Sequence, residues 1–135
     1  MIKTAIEAAK KGGEVAFKYF ETELEHEIKD DKSFVTIADK ETEAAIIGVL
    51  KEKFPDHSFL AEETGESGNK SEYMWVIDPI DGTADFVNSL PIWAISIGLV
   101  KNGEVILAVV YNPLINLLLH AEKGKGLWRD GVRLH

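Results

Sequence analysis

With 135 residues, 45% of them apolar and only 4 prolines, the chain is long enough for one domain with a real core, and its composition excludes a disordered or low-complexity protein. A formal net charge of −8 argues against a nucleic-acid backbone or an anionic membrane as a general partner, and the lack of cysteine excludes disulfides and thiolate zinc sites. No stretch reaches 18 apolar residues and the N-terminus lacks a signal-peptide pattern, so the expected location is the cytoplasm.

The first expected element is an amphipathic helix over residues 3–27. Ile2, Ile6, Ala9, Ala16, Phe20 and Leu24 recur mostly every three or four residues, although Gly12-Gly13 weakens its middle. Residues 28–35, IKDDKSFV, read as a polar link. A second helix is expected over about 37–54, with Thr36 and Asp39 resembling a capping box. Its apolar face is Ile46, Ile47, Leu50 and Phe54, and Pro55 is its stop.

The period then changes. Residues 57–63, HSFLAEE, suggest a short strand ending in acids, and 64–72 a turn or loop. MWVID at 74–78 is an apolar strand, and Asp85 to Ser89 one or two helical turns. AISIGLV at 94–100 and EVILAVVYN at 104–112 are strands joined through Asn102-Gly103. Residues 116–121 form another strand, and GKGLWRDGVRL a closing hairpin turning at Asp130-Gly131. The order predicts an α+β, layered α-β sandwich: two N-terminal helices on a largely antiparallel sheet.

WVIDPIDGT at 75–83 carries the chemistry. A strand delivers Asp78 at its end, and Pro79, with no N–H, is expected to end the ladder there. A turn then brings Asp81 to the same point, with the Ile80 carbonyl, Gly82 and Thr83 beside it. A second strand ends at Glu62-Glu63. Carboxylates that meet at strand ends repel unless a cation neutralises them, and oxygen-only donors suit Mg²⁺ or Mn²⁺ better than Zn²⁺. Blander readings exist for each. DPIDG is also turn-forming, Asp39 serves equally as a helix cap, and Glu63 and Lys29 as surface charges.

These segments resemble the inositol monophosphatase-like family of Mg²⁺-dependent, lithium-sensitive phosphatases. WVIDPIDGT looks like its first signature, LAEETG at 60–65 like its upstream acidic motif, and KDDKSFVTIAD at 29–39 like its Lys-containing loop and the start of its second helix. The resemblance implies the N-terminal domain of the sugar-phosphatase fold. It implies hydrolysis of a small phosphate monoester: an inositol monophosphate, a nucleotide 3′-phosphate, fructose 1,6-bisphosphate or histidinol phosphate. Glu62, Asp78 and the Ile80 carbonyl would hold a first Mg²⁺, and Asp78 with Asp81 would contribute to a second. Glu62 would also anchor a third, weaker ion. Asp39 and Thr83 would orient the attacking water. The Gly82 and Thr83 amides would bind phosphate at a helix N-terminus, with Lys29 nearby and Glu63 supporting from behind.

Family members run to roughly twice this length, and their second signature, W-D-x-A-A/G-G, has no counterpart here; Trp128-Arg129-Asp130-Gly131 is a different element. Residues 1–135 are therefore expected to be the N-terminal metal- and phosphate-binding domain of a longer protein, homodimeric at full length. Alone they would be a metal-binding or assembly module with little turnover.

Overall fold

In a computed structural model, the structure describes residues 1–25, 31–81 and 93–134, with side chains described outside 21–36. Helix α1 spans Ile2–Glu25 and α2 spans Asp31–Lys53. Eight strands follow: β1 Ser58–Ala61, β2 Gly65–Gly68, β3 Tyr73–Asp81, β4 Ala94–Lys101, β5 Glu104–Asn112, β6 Leu117–Glu122, β7 Gly126–Arg129 and β8 Val132–Leu134. They form one sheet in the order β2-β1-β3-β4-β5-β6-β7-β8. The pair β1–β3 is parallel and the other neighbouring pairs are antiparallel. The α+β layering and largely antiparallel sheet are as the sequence pattern indicates.

Local expectations need correcting in three places. Residues 31–35 are helical rather than linking, which puts Thr36 and Asp39 inside α2 and removes the capping box. A polar run is as compatible with the exposed first turns of a helix as with a link, and acids such as Asp31 are favoured at a helix start. Within 64–72, Gly65–Gly68 pairs with β1 although GESG has no strand-forming side chains. Backbone pairing across the tight turn at 62–64 overrides propensity there. Finally, β3 continues past Pro79 to Asp81.

The helices pack on one face of the sheet. Ala5, Ala8, Ala9, Ala16 and Phe20 of α1 and Ala38, Ile46 and Leu50 of α2 meet Phe59, Trp75, Ile77, Ile95, Ile97, Leu99 and Val109. Full burial of an aliphatic side chain such as Ile46 contributes about 1.5–3 kcal/mol. The Phe20 and Trp93 rings, 5.6 Å apart, tie the later part of α1 to the start of β4. Gly12 and Gly13, which weaken the helix by propensity, are points of closest approach. A Cβ on Gly12 would lie 2.7 Å from Ile46 Cγ1, and one on Gly13 2.6 Å from Tyr111 Cε2. Both expected tight turns are present, with left-handed Asn102 (φ 49°) and Gly103 (φ 83°), and Asp130 (φ 47°) and Gly131 (φ 85°).

The other face of the sheet carries a transverse row. Register runs Leu60↔Val76↔Gly98↔Ala108↔Ala121↔Leu127↔Leu134, from β1 across to β8. Its ends are large and exposed, at Leu60, Val76, Leu127 and Leu134, and its centre is small. The row is therefore a shallow apolar trough.

Candidate metal and phosphate site

The parallel pairing aligns Ala61 with Ile77, so the next residues along the two strands, Glu62 and Asp78, emerge side by side. Asp78 pairs with Ser96 and Asp81 with Ala94, three residues along β3 against two along β4. Pro79 and Ile80 together therefore oppose Ile95 as a β-bulge. In a regular strand, residues three apart point to opposite faces. The bulge absorbs one residue and brings Asp78 and Asp81 onto the same face. Pro79 is tolerated because a bulge needs no ladder hydrogen bond from it. The same two acids were expected to converge through a turn after a terminated strand; they converge through a bulge in a continuing one.

From the helical layer, α2 contributes Asp39, 4% exposed, and one turn later Glu43, 1% exposed. The spacing of four puts both on one face. Burial pushes the Asp39 carboxyl up to about 7, and the charges of Glu62, Glu63, Asp78 and Glu43 add to it in that order. Burial likewise pushes Asp78 up to about 6, followed by the Asp81 and Glu62 charges and a hydrogen bond with the Glu62 side chain; a backbone bond at Ile80 opposes the shift. The charges of Glu62, Glu63 and Asp78 thus reach Asp39 from two other elements, and those of Asp81 and Glu62 reach Asp78. Asp39 Oδ1, Thr42 Oγ1 and Asp78 Oδ1 are buried with no hydrogen-bond partner among the described residues. Buried oxygen acceptors left this way suit an oxygen-preferring divalent ion. Among the described residues, however, no three such side chains already stand in a metal-holding arrangement.

Glu43 behaves differently. Its Oε2 accepts the Glu63 amide at 2.9 Å, and its Oε1 accepts the Thr64 amide at 3.0 Å and the Thr64 hydroxyl at 2.7 Å. Sequence reasoning passed over Glu43 and Thr42. The signal was available in ADKETEAA, where Asp39, Thr42 and Glu43 recur at helical spacing in line with apolar Ile46. Lys29, Gly82, Thr83 and the expected helical turns at 85–89 lie outside the described residues.

The family model described as "Inositol monophosphatase family" matches residues 1–135. The chain is 41% identical over 137 aligned residues to the Nus factor SuhB of Salmonella typhimurium, covering 99% of this chain and 51% of that protein. It is 42% identical over 129 residues to a fructose-1,6-bisphosphatase/inositol-1-monophosphatase of Aquifex aeolicus, covering 94% of this chain and 49% of that protein. The solved inositol monophosphatase of an Anabaena (Nostoc) species superimposes with a TM-score of 0.84 at 36% identity, covering 98% of this chain and 48% of that one. The chain spans about half the length of the curated relatives it matches.

Proposed function

The chain belongs to the inositol monophosphatase family, and on that premise we propose that the protein hydrolyses a small phosphate monoester, with an inositol monophosphate first among the candidates. A sugar bisphosphate is the next, because the Aquifex relative's name joins the two activities. Nucleotide 3′-phosphate and histidinol phosphate follow. The observation that carries the reading is the convergence of Asp39, Glu62 and Asp78: the Glu62 charge adds to the rise of both aspartates, and each aspartate keeps a buried oxygen without a partner among the described residues.

In this reading Glu62, Asp78, Asp81 and the Ile80 carbonyl would hold two or three Mg²⁺ ions, or Mn²⁺ in their place. Such ions supply Lewis acidity and positive charge beside the phosphoryl group. Asp39 Oδ1 accepts a hydrogen bond from the attacking water, together with the Thr83 hydroxyl. The Gly82 and Thr83 amides and Lys29 bind phosphate oxygens, and Glu63 supports the ligands from behind. Burial of Asp39, 4% exposed, limits the water that competes for its carboxylate oxygens. The proposed setting is the cytoplasm, where small phosphorylated metabolites are made and consumed.

We further infer that residues 1–135 are the metal- and phosphate-binding half of this machinery and turn over little by themselves. That reading is favoured by coverage of only 51% of the SuhB relative. The apolar trough on the open sheet face favours self-association of the isolated half, and a homodimer is proposed at full length.

The natural full-length protein is expected to release phosphate from a panel of these esters only with Mg²⁺ or Mn²⁺, and to lose that activity in Asp78→Asn. Activity that survives both EDTA and the substitution overturns the proposal. Efficient turnover by the 135 residues alone overturns the second inference.

A further inference from the structure

We propose that Glu43 is a positioning residue for the candidate metal ligand Glu62, acting as a buried clamp on the turn that follows β1. The inference rests on the metal-site reading above. Glu62 leads a turn whose next two residues are held by one carboxylate: Glu63 through its amide at 2.9 Å, and Thr64 through its amide and hydroxyl at 3.0 and 2.7 Å. A carboxylate is acceptor-only, and here it meets three donors. Glu43 is 1% exposed on a well-packed helix, so the anchor is rigid. Asp39, one turn earlier on the same helix, keeps a buried oxygen without a partner among the described residues. The two acids divide the work: Glu43 has both oxygens engaged and fixes backbone, while Asp39 is left open to the site. Because α2 carries both, the clamp also sets the distance between Asp39 and Glu62.

The test is Mn²⁺ binding to the purified 135 residues by electron paramagnetic resonance, with amide hydrogen exchange alongside. Glu43→Gln keeps the volume but turns an NH₂ group toward one of the amides. It is expected to weaken Mn²⁺ binding on the order of 10–100-fold, the range for groups that orient metal ligands, and to speed exchange at the Glu63 and Thr64 amides. Leu50→Val, a buried change elsewhere on α2, is expected to lower stability and leave Mn²⁺ affinity unchanged. If Glu43→Gln fails to fold, Thr64→Val removes one of the three bonds and is expected to give a smaller loss of affinity. Wild-type affinity in both Glu43→Gln and Thr64→Val, or an equal loss in Leu50→Val, overturns the clamp alone. A wild-type chain that binds no Mn²⁺ overturns the clamp and the metal reading together.

Discussion

The Trp75 indole N–H donates to Nδ1 of His57 at 3.0 Å. The bond joins β3 to the turn after α2 and fixes the neutral imidazole with its proton on Nε2. The ring is stacked between Phe54, centroids 4.9 Å apart, and Tyr73, 4.7 Å apart, and the Lys101 ammonium sits 5.1 Å from the centroid of the Tyr73 ring. Replacing His57 by Phe keeps the stack and orphans the buried indole N–H. Urea unfolding is expected to show a loss of about 1–3 kcal/mol. Burial holds His57 below its ordinary value near 6.5, against the opposing charge of Asp56. Its contribution is present above that value and lost as pH falls through the lowered one. His57→Phe should remove that part of the acid sensitivity.

Asp39 and Asp78 give the opposite slope over the same acidic range. Their folded values, about 7 and about 6, lie above the ordinary 3.8. The folded state then binds more protons than the unfolded one, so the associated stability is full below the ordinary value and is lost as pH rises through the folded values. The metal-free chain is expected to melt progressively lower from about pH 4 to pH 7 for this reason. Asp39→Asn should flatten that trend and raise the apo stability by about 1–3 kcal/mol. Added Mg²⁺ should raise the wild-type midpoint most at the alkaline end. Melting curves across pH, with EDTA and with Mg²⁺, check both statements.

Gly12 is where α1 comes close enough to α2 to exclude a side chain. Gly12→Val would force the new Cβ against Ile46 at a buried site. A loss of about 1–3 kcal/mol in denaturant unfolding is expected. Gly48, with nothing within 4 Å of a built Cβ, is the control: Gly48→Ala should gain up to about 1 kcal/mol from helix propensity.

The trough on the open sheet face predicts the hydrodynamic behaviour of the isolated chain. Sedimentation should find species above the monomer mass. The pair Val76→Lys and Leu127→Lys, both at exposed positions of the row, should return the chain to monomer. A strictly monomeric wild-type chain would argue against that surface.

Layers, strands and most of the core were legible in the sequence because period and turn chemistry are local. The apolar spacing in α1 and α2, the Asn102-Gly103 and Asp130-Gly131 turns and the alternating β4 and β5 all act within a few residues. What was not legible depends on partners far along the chain. The start of α2 reads as a link because its first turns are polar. β2 exists only because β1 offers it a free edge. Glu43 looks like one more helix acid until the turn 20 residues later lands on it. The carboxylate cluster was anticipated as a set of residue types, but the route by which Asp78 and Asp81 come to share a face was not.

That route has a consequence for how the protein tolerates change. The bulge at Pro79–Ile80 sacrifices ladder regularity in a central strand, where an even pairing would be the more stable arrangement. Deleting Pro79 would let β3 and β4 pair without interruption; Asp78 and Asp81 would then stand two apart and still share a face, but the extra residue that spaces them and the irregular backbone around the Ile80 carbonyl would be gone. Screens that reward thermal resistance alone would therefore accept such a deletion and discard the spacing of the acid pair and its intervening carbonyl, so the four-residue span Asp78-Pro79-Ile80-Asp81 marks a point where gains in stability and retention of the site pull in opposite directions.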